Sequence, residues 1–305
     1  MKKKAVVIGG GIQGCCISLA LLDRGYQVTL VDQASDLIRR ASFNGEGKIH
    51  LGFVYALDRT LETGQRMVRD GLAFGQALET LIGKKLPWDS IVSRPFNYLA
   101  AHDSLLSVGE TEAYFRELAN YSQACLAADS KLHYLGRREG EFYRAISVPD
   151  GVNRLRVSAA FSTMELCVDQ EAVRELIIDT LSAHPDFIHA PNEFVTQVDV
   201  AQRESQVRSR LSTGEVRTRA GGVVVNCSWE SLDALDISAG LRSALAEPPN
   251  LRLKVGLITE AMSVLEGIDP FTIVHGAYGD FVSNRNGTNY FCWYPTSMKG
   301  MVRDW

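Results

Sequence analysis

The chain begins with residue types at a spacing that suits phosphate binding. Its early glycines follow the pattern Gly9-x-Gly11-x-x-Gly14, and an acid, Asp32, comes eighteen residues after the last of them. Gly9 allows a tight turn, Gly11 lets the backbone approach a pyrophosphate, and Gly14 allows a helix to pack closely on a strand. A helix that starts here directs unpaired N–H groups and the positive end of its dipole towards phosphates. Asp32 can accept hydrogen bonds from ribose hydroxyls and would repel a 2′-phosphate, so the pattern predicts a dinucleotide site that disfavours NADP.

The hydrophobic pattern around these residues predicts the elements that position them. Residues 5–8 are a short apolar run, as in a central parallel strand that is buried on both faces. Apolar residues then recur at helical spacing between positions 17 and 22, and residues 28–31 form a second apolar run that ends at Asp32. The glycine spacing alone is weak evidence for a ligand. Strand, helix and acid together predict a βαβ dinucleotide-binding unit.

The segment that follows this unit bears on which dinucleotide is bound. Residues 39–58, RRASFNGEGKIHLGFVYALD, read as a long polar loop with three glycines. An NAD-binding domain would continue with another helix and a third parallel strand. Later, the segments FVTQVDV, SQVRSRLST and EVRTR predict a three-stranded meander that leads into a buried strand at residues 223–225. The sequence therefore favours FAD, and an NAD-dependent dehydrogenase is kept as an alternative.

The sequence resembles the D-amino-acid-oxidase-type FAD-dependent oxidoreductases, which include glycine oxidase, sarcosine oxidase and L-2-hydroxyglutarate dehydrogenase. The resemblance is carried by the fingerprint with Asp32, by loop residues 40–42, 44 and 48–52, and by the segments CVDQEAVRELIIDTL and AGGVVVNCSWESL. It implies an α/β fold: a Rossmann-type FAD-binding domain with a β-meander, plus an interleaved α+β substrate domain. It also implies FAD as the cofactor, because flavoproteins of this type carry such a meander where NAD-only folds place a helix.

The resemblance also implies which residues contact the cofactor. Arg40, Ala41 and Ser42 would lie at the phosphate and ribityl side, and residues 44–52 would run beside the isoalloxazine ring. Val195 would give a backbone contact to the adenine. The predicted cofactor-binding residues are Gly9, Gly11, Ile12, Gln13, Gly14, Asp32, Gln33, Arg40, Ala41, Ser42, Asn44, Lys48, His50, Val195, Asn226 and Cys227.

The implied reaction is the removal of a hydride from a carbon that bears an amine or a hydroxyl, on a small amino or hydroxy acid. His50 is the first catalytic candidate, since a histidine can act as a base towards an alcohol, bind a substrate carboxylate or stabilise a reduced flavin. A covalent flavin link and a purely structural histidine are its alternatives. Tyr278 and Tyr294 are the catalytic candidates on the substrate side, from a set that also includes Arg285 and Tyr290.

The expected domain organisation is discontinuous. Residues 1–85 and 160–236 are assigned to the FAD-binding domain, and residues 86–159 and 237–305 to the substrate domain. The periodicity predicts helices over 61–83, over 111–127 and from 170, and strands at 91–92, 98–99 and 251–259. Relatives of this type usually end in a glycine-rich segment and a helix that return to the FAD-binding domain. This chain stops at Met301-Val302-Arg303-Asp304-Trp305, so that lobe is expected to be missing, and a non-catalytic remnant is the third hypothesis.

Composition narrows the partners. A net charge of −4 argues against nucleic acid or an acidic membrane surface as the main partner, and the resemblance implies a small amino or hydroxy acid as the partner. The six cysteines form no CxxC pair and no zinc-ligand spacing, so no metal site is predicted. No apolar run approaches the length that spans a membrane, which predicts a cytoplasmic protein. The electron acceptor and the individual substrate are left open.

Overall fold

The computed structural model describes residues 2–241, 251–260, 262–284 and 286–302. The helices in these residues are α1 (Ile12–Asp23), α2 (Glu62–Ile82), α3 (Trp88–Ile91), α4 (Val108–Ala128), α5 (Gln170–Ser182), α6 (Leu232–Ser238) and α7 (Tyr294–Ser297). The strands are β1 (Lys4–Ile8), β2 (Gln27–Val31), β3 (Lys48–Ile49), β4 (Asn97–Ala101), β5 (Tyr143–Ile146), β6 (Val157–Thr163), β7 (Leu166–Cys167), β8 (Phe187–Ala190), β9 (Glu193–Asp199), β10 (Ser205–Leu211), β11 (Val216–Gly221), β12 (Val223–Asn226), β13 (Leu251–Lys254), β14 (Leu257–Thr259), β15 (Phe271–Val274), β16 (Gly279–Ser283), β17 (Asn289–Trp293) and β18 (Met298–Val302).

The described residues divide into two compact units. Unit 1 takes its residues from Met1–Gly45, Leu81–Gly83 and Gln170–Pro249. Unit 2 takes its residues from Glu46–Thr80, Lys84–Asp169 and Asn250–Trp305. None of the helices among the described residues combines the length and the apolar character needed to cross a lipid bilayer.

Unit 1 is built on a parallel four-stranded sheet in the order β12-β1-β2-β8. β1 lies between two partners, so that Ala5 is opposite Val28 on one side and Val223 on the other. Strands β9, β10 and β11 form an antiparallel meander. One apolar core joins the sheet, the meander and α6, and its buried members are Val6, Ile8, Val31, Ala190, Val195, Val198, Val207 and Leu235. The parallel sheet, the meander and the strand at 223–226 confirm the predicted Rossmann-type fold.

The strand β8 has no counterpart in the sequence prediction. It pairs in parallel with β2 and places Phe187 opposite Val28. A third parallel strand therefore does lie beside β2, but in the chain it follows α5 and not Asp32. The sequence FIHA is short and carries no clear alternation, and its partner strand lies far away in the sequence, so a local pattern could not reveal it.

Unit 2 contains a seven-stranded sheet in the order β14-β17-β16-β15-β4-β6-β5. The pair β15-β4 is parallel and the other pairs are antiparallel. Two small pairs, β3-β7 and β13-β18, lie outside this sheet. α4 starts at a capping box, in which Ser107 and Glu110 each bond the backbone amide of the other. Phe53 and Phe161 pack edge-on against Phe115, with ring centroids 4.8 Å and 5.2 Å from it, which fixes the aromatic core.

Local structure differs from the prediction at two places. Ile91 ends the single-turn helix α3 and does not lie in a strand, because it shares one buried helix face with Trp88, three residues earlier. The predicted strand over 251–259 is two strands, β13 and β14, which are interrupted at Val255 and Gly256. At Gly256 a side chain would meet the Tyr290 ring, since a Cβ there would lie 2.5 Å from a ring carbon.

The observed units also differ from the expected domain bounds. Residues 46–80 belong to unit 2, although the sequence assigned them to the FAD-binding domain. The reason is that β3 pairs with β7, and that Phe53 lies in the aromatic core of unit 2. Residues 160–169, which include the end of β6 and all of β7, belong to unit 2 for the same reason.

Candidate functional site

The glycine turn of unit 1 has the geometry that its sequence predicts. Gly9 has φ +102°, and a Cβ there would lie 2.3 Å from the carbonyl oxygen of Cys227. Gly14 approaches the same turn so closely that a Cβ would lie 1.9 Å from the Gly9 carbonyl oxygen. The backbone therefore requires glycine at both positions. This close contact sets α1 directly against the end of β1.

Ser42 lies at the amino end of α1. Its Oγ accepts a hydrogen bond of 3.1 Å from the backbone N–H of Ile12, the first residue of the helix. Gln13 follows in the same turn, and Gly11 is the residue just before the helix. The hydroxyl of Ser42 thus marks the place where a pyrophosphate oxygen would meet α1, as the sequence predicts.

Asp32 is held in a fixed orientation just after β2. Its Oδ2 accepts from the backbone N–H of Gly10 at 2.5 Å, and its Oδ1 accepts from the N–H of Ala34 at 2.6 Å. Each carboxylate oxygen has a further lone pair, so ribose hydroxyls can still donate to it. Two charge-assisted bonds to the backbone make this acceptor rigid.

Several predicted cofactor residues line one cleft of unit 1. The cleft is lined by Ile8, Gly9, Val31, Asp32, Gln33, Glu193, Phe194, Val195, Ser228, Ser231 and Leu235. The lining includes the Asp32 carboxylate and residues 193–195 of β9, the first strand of the meander. The tight turn at Gly9 and the oriented carboxylate line the cleft, and the amino end of α1 follows that turn directly in the chain, so the residues fit FAD.

The remaining predicted residues of unit 1 are engaged with protein partners. Arg40 forms a two-point ion pair with Glu230 at 2.9 Å and 3.3 Å, and Gln33 donates to the same carboxylate at 2.6 Å. Asn226 donates to Asp236 at 2.8 Å, which ties the end of β12 to α6. Sequence reasoning missed Glu230, whose only local signal was its position just after the segment NCS.

The loop between Arg40 and Gly45 is a compact turn. The backbone N–H groups of Phe43 and Asn44 both donate to the carbonyl oxygen of Arg40, at 2.9 Å and 3.1 Å, with Ala41 inside the turn. Cys227 donates its N–H to the Ile8 carbonyl at 2.7 Å and so closes the sheet beside the glycine turn. These backbone bonds fix the loop after Arg40 and the chain just after β12.

Unit 2 holds a second group of predicted residues, centred on the buried carboxylate of Glu165. Its Oε1 accepts from the backbone N–H of Leu51 at 2.6 Å, and its Oε2 accepts from the Tyr98 hydroxyl. The ammonium of Lys48 lies 3.8 Å from Oε2 and donates to Thr272 at 2.8 Å. The Lys48 and Glu165 side chains are only 2% and 0% exposed, so this is a buried ion pair.

His50 lies between two carboxylates. Its Nδ1 is 3.9 Å from Oε1 of Glu165, and its Nε2 is 3.8 Å from Oε1 of Glu46. Burial lowers the pKa of His50 below its usual range, and Glu165 opposes this shift without overcoming it. The imidazole is therefore neutral at pH 7 and can accept a proton.

Glu46 is also bonded to Asp280 of β16. Burial, followed by the charge of Glu46, raises the pKa of Asp280 to about 7. The pKa of Glu46 lies below its usual range: burial opposes ionisation, but the ammonium of Lys48 and the bond from Asp280 favour it. The Oδ1 atom of Asp280 is buried and has no hydrogen-bond partner among the described residues. No local sequence pattern indicates this pair.

The two predicted tyrosines of unit 2 are neighbours, because the backbone N–H of Tyr294 donates to the carbonyl oxygen of Tyr278 at 2.8 Å. The Tyr278 hydroxyl donates to Asp103 at 2.6 Å, and burial together with this bond raises the pKa of Tyr278 to about 12. Tyr294 begins α7, and the ammonium of Lys254 lies 4.5 Å from its ring centroid. Tyr290 is buried in β17, and Arg285 lies outside the described residues.

Comparisons with known proteins agree with this geometry. In unit 1 and beyond, residues 4–232 match the family model described as DAO, FAD dependent oxidoreductase. A tRNA 5-methylaminomethyl-2-thiouridine biosynthesis bifunctional protein, MnmC, from Pseudomonas paraeruginosa is 28% identical over 153 residues, which are 49% of this chain and 20% of that protein. The chain thus matches about a fifth of the length of this curated relative.

Two solved structures share the fold. The L-proline dehydrogenase from P. horikoshii superposes with a TM-score of 0.65 at 15% identity, over 99% of this chain and 71% of that one. The glycine oxidase from Geobacillus kaustophilus superposes with a TM-score of 0.63 at 13% identity, over 95% and 71%. The family match confirms the prediction that the dinucleotide is FAD and not NAD. On this evidence, the chain belongs to the DAO family of FAD-dependent oxidoreductases.

Proposed function

We propose that this chain oxidises a CH–NH or CH–OH group of a small amino or hydroxy acid, with FAD as the hydride acceptor. The observation that carries the proposal is the neutral, partly exposed imidazole of His50, in a chain of an FAD-dependent family. FAD, when bound, supplies the two-electron chemistry. The protein would supply binding, orientation and the movement of protons.

Three of the predicted residues, Ser42, Asp32 and His50, then have a definite task. The amino end of α1 and Ser42 would hold the pyrophosphate, and Asp32 would hold a ribose. The Nε2 atom of His50 would take the proton that leaves the substrate. If Nδ1 carries the ring proton and turns it towards Glu165, the lone pair of Nε2 is free for this task.

Two observations bear on the substrate class. The names of the two structural neighbours, a glycine oxidase and an L-proline dehydrogenase, support an amino acid. His50 supports a hydroxy acid as the second candidate, because an alcohol must lose its proton as the hydride leaves, whereas an amine can arrive neutral.

The test is anaerobic reduction of the FAD-loaded chain by panels of amino acids and hydroxy acids. The loss of flavin absorbance measures the reduction. We expect one class to bleach the flavin. Replacement His50→Gln should slow reduction by a hydroxy acid by about 10²–10⁴-fold. The matched control is His102→Gln, because His102 is an exposed histidine of the same unit and should leave the rate unchanged. A flavin that dithionite bleaches but neither panel reduces would refute the proposal in favour of a non-catalytic flavin-binding chain.

A further inference from the structure

The proposed base has a neighbour with unusual proton chemistry. Glu46, just before β3, and Asp280, on β16, are joined by a side-chain hydrogen bond. Two hydrogen-bonded carboxyl groups cannot both ionise freely, because their negative charges repel each other. Such a bond forms when the pair holds one proton, so the pair has two states: one with a shared proton and one fully ionised.

The groups around the pair affect how easily it ionises. Two ammonium groups, those of Lys48 and Lys254, favour ionisation of both carboxyl groups. The other titratable groups that interact with the pair are His50, Tyr55, Cys167 of β7, Tyr98 of β4 and Tyr290 of β17, and Glu165, just before β7, lies beside His50. Burial raises the pKa of the tyrosines and of the thiol above their usual range, so these groups stay protonated near pH 7.

Glu46 connects the pair to His50. Its Oε1 lies 3.8 Å from Nε2 of the imidazole, so a movement of about 1 Å would bring the two atoms to hydrogen-bond distance. The buried Oδ1 of Asp280 has no partner among the described residues. Glu46 is therefore a neighbour both of the imidazole and of a carboxyl group with an uncommitted oxygen.

We infer that Glu46 and Asp280 form a proton-accepting pair, which receives the proton that His50 takes from the substrate. This inference rests on the proposed function. The N–H or O–H proton of the substrate passes to Nε2 of His50, and then from Nε2 to the ionised pair, which holds it between its two carboxylates. His50 is left neutral and the pair has gained one proton, while the two electrons leave the substrate as the hydride.

The direction of transfer follows from the two environments. Burial lowers the pKa of His50, whereas burial and Glu46 raise the pKa of Asp280 to about 7. Both shifts act in the direction that favours a proton on the pair over a proton on the imidazole. Because only the ionised pair can accept, we expect the rate of flavin reduction to rise with pH through about 7.

The first test observes the shared proton itself, by infrared spectroscopy of the full FAD-loaded chain without substrate. The C=O stretching band of a protonated carboxylic acid should disappear as the pH rises through about 7 in the wild type. It should be absent in Asp280→Asn and kept in Asp150→Asn, which changes a fully exposed carboxylate of the same unit. A band that persists in Asp280→Asn, or that never titrates near pH 7, would overturn the pair.

The second test measures the pH profile of flavin reduction by the acid that reduces the wild type. In Asp280→Asn the rising limb near pH 7 should be lost and the rate at pH 8 should fall about tenfold, because Glu46 alone is a poorer acceptor. Glu46→Gln should behave alike and serves if the first variant does not fold. A wild-type profile in both variants would overturn the relay even where the infrared band behaves as expected. If no acid reduces the flavin, the proposed function fails and the relay with it, whereas the infrared result still decides whether the proton is shared.

Discussion

The buried ion pair of unit 2 allows a quantitative prediction. Replacement Glu165→Gln keeps the shape of the side chain and removes its charge. Lys48, whose side chain is 2% exposed, would then lie in the interior without its anion. In addition, the glutamine NH₂ would face one of two hydrogen-bond donors, the N–H of Leu51 or the hydroxyl of Tyr98.

Removing one partner of a buried ion pair costs about 3–5 kcal/mol, since it leaves an uncompensated charge. We therefore expect Glu165→Gln to lower the free energy of unfolding by about 3–5 kcal/mol, out of a total of about 5–15 kcal/mol for a typical domain. Equilibrium urea unfolding followed by circular dichroism measures this loss. The matched control is Glu139→Gln, an exposed position in the same unit, which should change the free energy by less than about 0.5 kcal/mol.

A double-mutant cycle tests the cause of the loss. Lys48→Met removes the stranded charge, so the double variant Glu165→Gln/Lys48→Met should be more stable than the sum of the single losses predicts, by about 1 kcal/mol or more. The reasoning is refuted if Glu165→Gln costs less than about 1 kcal/mol, or if the two single losses add within about 0.5 kcal/mol.

Three further predictions concern unit 1. Gly14→Ala would place a methyl group 1.9 Å from a backbone carbonyl oxygen and should weaken FAD binding about tenfold, as measured by quenching of flavin fluorescence. The control is Gly222→Ala, whose Cβ would meet nothing closer than 3.6 Å and which should bind FAD as the wild type does. Asp32→Asn turns an amide towards a backbone N–H and should also raise the Kd for FAD about tenfold by calorimetry, so an unchanged Kd would contradict the assigned ribose contact. Burial raises the pKa of Cys16 to about 11 and that of Cys15 further. At pH 8 both thiols should therefore react with iodoacetamide roughly 100-fold more slowly in the native chain than in urea. Equal rates, measured by peptide mass spectrometry, would contradict the burial of α1.

Local signals were enough to predict the cofactor side of the molecule. The tight turn at Gly9, the helix behind it and Asp32 lie within one continuous βαβ unit, so spacing alone encodes their geometry. The meander was predictable for the same reason, since β9, β10 and β11 are neighbours in the chain and in space. The meander shares one apolar core with the parallel sheet.

The proton chemistry of unit 2 could not be predicted in this way. Glu165 and Asp280 are two of 36 acids, and neither lies in a motif. They matter because the fold brings them close to Lys48, Glu46 and His50, which lie more than a hundred residues away from them in the sequence. Sequence reasoning selected Lys48 and His50 by resemblance, but partners set by long-range pairing carry no local pattern.

The compact units have other bounds than the expected domains for a related reason. The loop after Asp32 was expected to stay with the cofactor unit, because its residues resemble flavin contacts. Its two-residue strand β3 is held instead by β7, and such a short strand has no periodicity to detect. Residues 46–80 thus belong to unit 2 because of a strand pairing between segments that are distant in the sequence.

The strand order of the parallel sheet sets the time at which the cofactor cleft can form. β1 is synthesised first, yet one of its partners, β12, follows more than two hundred residues later, where Val223 meets Ala5. At about 5–20 residues per second, a ribosome needs on the order of 10–40 s to supply that partner. During this time one edge of β1 lacks its native neighbour, and the turn at Gly9 lacks the Cys227 carbonyl against which it packs.

The cleft therefore belongs to the late steps of folding, although its fingerprint opens the chain. Closure of so long a loop carries an entropic cost, which the pairing of β1 with β12 must offset. FAD added to a nascent chain should protect unit 1 from proteolysis only after residue 226 has left the ribosome. The residues of the fingerprint are thus synthesised first, but their native contacts are completed only late in folding.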